Sequence, residues 1–180
     1  MNNPHDLLFV LLTSLVYSLI EVELEGKNGW MTKIPTAKVV YMGGKHMTLY
    51  HIYMIMMITL SVGYQNNMQY TIPSFLYSAS YVFLFLLLED FLWFVFNPYF
   101  TIKRYKKDKV WWHANQPWIY GIPMHNFVVG AINLSISYIT GYTDIALALI
   151  NSMFFCILCT SVAPFYHKFY QKIHGIQIIS

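Results

Sequence analysis

The chain has 180 residues, 57% of them hydrophobic and 18% aromatic, with only 11% charged and a formal charge of +3. Soluble domains carry about 25% charged residues, so this composition leaves too little polar surface for a water-soluble fold, and it excludes disorder. The small positive charge excludes a nucleic-acid binder, and two cysteines give no disulfide framework.

The chain reads as a single domain over residues 1–180. Five apolar segments predict an all-α, polytopic membrane protein with spans over 7–22, 47–64, 74–96, 126–142 and 145–165. The first and fourth are short and could instead be re-entrant or tilted. The first segment is read as a retained span, because Met1 to Asp6 holds no Lys or Arg and Glu21-Val22-Glu23-Leu24-Glu25 follows it rather than a small-residue cleavage site.

Charge placement agrees with five spans. Lys27, Lys33, Lys38 and Lys45 fall in one loop. Lys103, Arg104, Lys106, Lys107 and Lys109 fall in a second, and Lys168 and Lys172 in the C-terminal tail. A five-span count puts all 11 basic residues on one side. The positive-inside rule makes that side cytoplasmic, with the N-terminus outside, the C-terminus inside, and the inner (plasma) membrane as location. The turn at Asn66-Asn67 then lies outside. Trp30, Trp111, Trp112 and Trp118 in the two inner loops are read as headgroup-level anchors. Residues 97–125 mix basic, aromatic, Pro and Gly residues, which suits a segment lying on anionic headgroups.

In the third span, Glu89 and Asp90 interrupt a run of apolar residues about 10 Å from its inner end at ~1.5 Å per residue. A carboxylate inside a bilayer costs on the order of 2.5–3.5 kcal/mol, so it faces a partner or a wet cavity, and a functional site is the default reading. Glu21 and Glu25 share a helix face if the first helix continues; Glu23 and Glu25 read as interfacial acids, and Glu21 as a group that can face the bundle. His46, His51, His113, His125, His167 and His174 all lie on the cytoplasmic half. Carboxylates with imidazoles suit a divalent metal such as Zn, Fe or Mn, and also suit proton transfer without one. No H-E-x-x-H or E-x-x-H pair lies on a span, which disfavours a His-box hydroxylase or desaturase.

The predicted site is Glu89 and Asp90 as acid/base groups or metal ligands, His51 and His113 as their partners, and Trp93, Asn97 and Glu21 as substrate-orienting residues. The Cys156-x-x-Cys159 pair sits mid-span and reads as packing, as do Met54, Met56 and Met57. Asn133-Leu134-Ser135 falls within a span and reads as an unused glycosylation acceptor.

Residues Glu23 to Trp30 (E-L-E-G-K-N-G-W), followed by Ile34-Pro35-Thr36, resemble the first signature of an uncharacterised family of small prokaryotic polytopic membrane proteins. Residues Glu89 to Pro98 (E-D-F-L-W-F-V-F-N-P) resemble its second signature. Trp112-His113 and Gly121-Ile122-Pro123 are similar to its later landmarks, and His51 falls where the family carries a histidine. The resemblance covers most of the chain and implies a multi-pass membrane protein, with no activity to import. At His125 the family pattern has an acidic residue. Leu88-Glu89-Asp90 is also similar to the paired-acid motif of small-membrane lycopene cyclases, although their proline–tryptophan–aspartate landmark is absent.

These readings lead to an expected membrane-embedded enzyme. Its carboxylate/histidine site lies near the cytoplasmic face and takes a lipid-like or isoprenoid substrate from the bilayer. The competing expectation is a non-enzymatic accessory subunit, completed by a protein partner or a second copy, or a small-solute or lipid carrier.

Overall fold

The computed structural model describes residues 4–30, 35–42, 45–65 and 71–177. The expected outer turn at Asn66 and Asn67 lies outside these residues, as do Lys33 and Ile34.

Five helices form, each over one of the expected apolar segments: α1 (Pro4–Glu25), α2 (Leu49–Gln65), α3 (Ile72–Phe96), α4 (Met124–Thr140) and α5 (Thr143–His174). Three of them, α1, α3 and α5, are long and apolar enough to cross a membrane. The other two have 17 residues each, or about 25 Å at ~1.5 Å per residue, against roughly 30 Å of bilayer hydrocarbon.

The all-α expectation needs one correction among the described residues. Two antiparallel hairpins stand in the long connections: β1 (Lys38–Met42) with β2 (Lys45–Thr48), and β3 (Trp118–Ile119) with β4 (Ile122–Pro123). Hydropathy does not reveal them, because their strands run only two to five residues. Two short 3-10 turns, Ile102–Arg104 and Trp111–His113, complete the connection between α3 and α4.

The centre of the fold is α3, which packs against α1, α2, α4 and α5. Its most apolar stretch is 67% buried, against 28% for α1 and 22% for α5. Local chemistry sets its ends. The Thr71 hydroxyl caps the N-terminus by accepting from the Ser74 backbone N–H at 3.3 Å, and Pro73 occupies the first turn, where no intrahelical donor is needed. At the other end the Asn97 backbone N–H donates to the Trp93 carbonyl at 2.8 Å, and Pro98 stops the helix.

An aromatic cluster holds the α3–α4 connection against the end of α3. Trp112 stands edge-on to Trp93 at 5.5 Å and stacks on Phe94 at 5.8 Å; Phe100 and Tyr105 close the cluster. Trp112 is only 4% exposed, so it is a core residue and not the headgroup anchor expected of it. Trp111 beside it is exposed. The alternation follows from a 3-10 turn that directs one ring inward and its neighbour outward.

Gly29 lets the segment after α1 approach this cluster. Its φ is +63°, and a Cβ there would stand 2.8 Å from a Trp112 ring carbon. Gly26 also has a positive φ, but open space surrounds it. Gly26→Ala therefore costs only the left-handed backbone strain, about 1–2 kcal/mol. Gly29→Ala adds an overpacking penalty and destabilises by about 2–4 kcal/mol in total. Thermal unfolding of both variants in detergent checks this order.

Candidate functional site

Adjacent residues on a helix point about 100° apart, so Glu89 and Asp90 cannot share one partner. Glu89 turns toward α1, where the Glu21 carboxyl lies beside it and the Tyr50 hydroxyl stands close to Glu21. Two carboxyl groups side by side in a dry site can share a single proton. Glu89 is 6% exposed, and its Oε1 has no partner among the described residues. Glu25, one turn beyond Glu21, is buried on the same side rather than solvated at the interface as expected. Glu23 takes the outer face and meets His174 at 3.2 Å.

Asp90 turns toward the α3–α4 connection. The His113 Nε2–H donates to Asp90 at 3.1 Å from Oδ2 and 3.3 Å from Oδ1. Burial of Trp112 fixes where His113 emerges, and Trp118 Nε1–H donates to the His113 carbonyl at 3.0 Å. Gln116 then ties His113 to α4. Its amide N–H donates to His113 Nδ1 at 2.9 Å, and its Oε1 accepts from His125 Nδ1–H at 2.8 Å. The His125 backbone N–H also points at Oε1, at 3.4 Å, which agrees with that orientation of the amide. The two imidazoles lie 4.9 Å apart. One ligand atom each from Asp90, His113 and His125 come within 4.8 Å of one another, so these three residues could hold a metal ion.

Trp30 and Lys45, from the connection between α1 and α2, and His51, in the first turn of α2, form a second group. Trp30 has a left-handed backbone, φ +48°, a strained conformation of the kind that gathers at ligand-binding sites. Its indole stacks on His51 at 4.5 Å and donates to the His46 carbonyl at 2.8 Å. Lys45 Nζ stands 3.5 Å from the centre of the Trp30 ring. The His51 Nδ1 accepts from the Thr48 backbone N–H at 3.2 Å, which leaves Nε2 to carry the ring proton.

These walls enclose a cavity of about 380 Å³. Glu21, His51, Glu89, Asp90, Trp93 and His113, six of the seven residues expected from sequence, line it. Asn97 does not. Its Nδ2 donates to the Gly26 carbonyl at 2.9 Å and its Oδ1 accepts from the Tyr99 backbone N–H at 2.9 Å, so it clamps the end of α3 to the end of α1. His51 lines the cavity but is not in the metal-competent group; His125 takes that place. Trp93 is buried, with its Nε1 lacking a partner among the described residues. Glu25, Trp30 and Lys45 also line the cavity, and Gln116 supports it from behind. The spacing of Glu25 from Glu21 signalled its place; nothing local in sequence signalled Lys45 or Gln116. Met54, Ile55, Phe83, Leu86, Leu87 and Val129 make the remaining wall apolar.

No family model matches the chain, and no curated protein and no solved structure matches it either.

Burial pushes the Lys45 ammonium down to about 8, against the opposing pull of Asp90 and Glu25. The folded protein thus gives up this proton near pH 8, whereas the unfolded chain keeps it to about pH 10.5. Stability contributed by this group rises with pH across that window. The unfolding midpoint of the wild type should rise relative to Lys45→Met between pH 8 and 10. Parallel curves would contradict the burial of this cation.

Proposed function

We propose that the chain is a five-span inner-membrane protein, with the N-terminus outside and the C-terminus in the cytoplasm, and that it is an enzyme acting on a lipid-like or isoprenoid substrate. The gathering of all 11 basic residues on one side supports this orientation. The ends of α1 and α3 and the starts of α2 and α4 supply the polar residues of the cavity, so the proposed site opens near the cytoplasmic face. A cavity of about 380 Å³ is in the range of small-ligand pockets, and its apolar wall suits an acyl or prenyl tail.

One observation carries the enzymatic reading: Glu89 Oε1 is buried beside the carboxyl of Glu21, without a hydrogen-bond partner among the described residues. A carboxyl pair of this kind can deliver a proton to a substrate double bond or oxygen and recover it. Trp93 Nε1–H and His51 Nε2 are donors that would orient the polar end of the substrate. The acid pair in an apolar helix, similar to that of lycopene cyclases, favours the isoprenoid class.

The test compares lipid extracts, by mass spectrometry, of cells expressing wild-type protein, Glu89→Gln or empty vector. The wild type should deplete one lipid and accumulate its product. Glu89→Gln should lower product by about 10²-fold or more while inserting and purifying normally. Lipid profiles that are identical across the three contradict the enzymatic reading and favour a carrier or accessory subunit.

A further inference from the structure

We propose that Asp90, His113 and His125, which line the cavity, bind a divalent first-row transition-metal ion, zinc(II) or iron(II). Two imidazole nitrogens with one carboxylate oxygen are a donor set that suits both ions and leaves at least one coordination position for water or substrate. The spacing fits. Ligands bonded at about 2.0–2.2 Å stand a little over 3 Å apart in a tetrahedral site, and His113 Nε2 is 3.1 Å from Asp90 Oδ2. One donor atom of His125 completes the group within 4.8 Å. Since Gln116 occupies His125 Nδ1, the free ligand atom of that ring is Nε2.

Gln116 stands where a supporting residue of a metal site stands, behind both imidazoles on their Nδ1 side. The bound ion replaces the proton between His113 Nε2 and Asp90. The ring proton of neutral His113 then sits on Nδ1, facing Gln116. A single amide oxygen must serve two Nδ1–H groups, whereas a carboxylate can accept both. Gln116→Glu should therefore tighten the ion, and Gln116→Leu should weaken it about 10–100-fold. Glu89 and Glu21 lie outside this ligand set. Any use of the ion in turnover rests on the reading of the cavity as a reaction site; its binding does not.

The experiment purifies the protein in detergent through a histidine-free tag and measures its metal by elemental analysis, which also tells zinc from iron. Wild type and Glu89→Gln should each hold about one ion per chain, the open three-ligand stoichiometry. Asp90→Ala, His113→Ala and His125→Ala should each hold less than about a tenth of that, the scale of a lost ligand. Chelator-stripped wild type, folded by size-exclusion profile, should take up cobalt(II) with a ligand-field absorption that His125→Ala lacks. A wild type that holds no ion and gives no cobalt spectrum, or a His125→Ala variant that holds as much as wild type, overturns the proposal. Lipid turnover that persists in ion-free wild type overturns any use of the ion in turnover and leaves the Glu21–Glu89 reading intact. Turnover that fails in Glu89→Gln with the ion still bound separates the two centres.

Discussion

The arrangement depends on the cost of two adjacent carboxyls in the most buried helix of the molecule. Each would cost several kcal/mol if left unpartnered in an apolar surrounding, and helix geometry sends them to different sides. Glu89 is met by Glu21 and Asp90 by His113, so the end of α1 and the α3–α4 connection are both drawn to the same level of α3. The space between these partners is the cavity. Its lining includes the carboxyls of Glu21 and Glu89, the imidazoles of His113 and His125, and the half-buried ammonium of Lys45.

Precision in the connections comes from aromatic packing rather than from regular structure. Trp112 fills the end of α3, and this fixes His113 one residue later. Gly29 permits the close approach to Trp112 next to Trp30, which with Lys45 and His51 lines the cavity. Asn97 joins the ends of α1 and α3 by side-chain bonds in both directions. These contacts act between elements distant in sequence. A change of packing at Gly29 or Trp112 would therefore reach the site without touching a polar group in it.

The helices were legible because an apolar run of about 17 residues or more is a strong signal, and all five expected segments are helical. Glu89 and Asp90 were legible because charge is rare there, and Glu21 followed from its place near the end of an apolar segment. His51 and His113 were legible only as part of a cluster of six histidines. The rest depended on tertiary contacts. Asn97 lies next to the site in sequence yet serves as a clamp. His125 was not among the expected site residues, yet one of its ring nitrogens comes within 4.8 Å of ligand atoms of Asp90 and His113. Lys45 looked like one more basic residue of an inner loop, because nothing local shows that a hairpin folds it over Trp30. Gln116 carried no signal at all, since an amide bridging two imidazoles is recognisable only in three dimensions.

The central claim is that Glu21 and Glu89, from different helices, form one carboxyl pair in a shared cavity. A double-mutant cycle on thermal stability, with Glu21→Leu, Glu89→Leu and the double variant in detergent, tests it most directly. Each single substitution leaves the other carboxyl buried without its partner, whereas the double removes both. The double variant should therefore be less destabilised than the sum of the singles, with a coupling of about 1 kcal/mol or more. Strict additivity would contradict the pair and the site built on it.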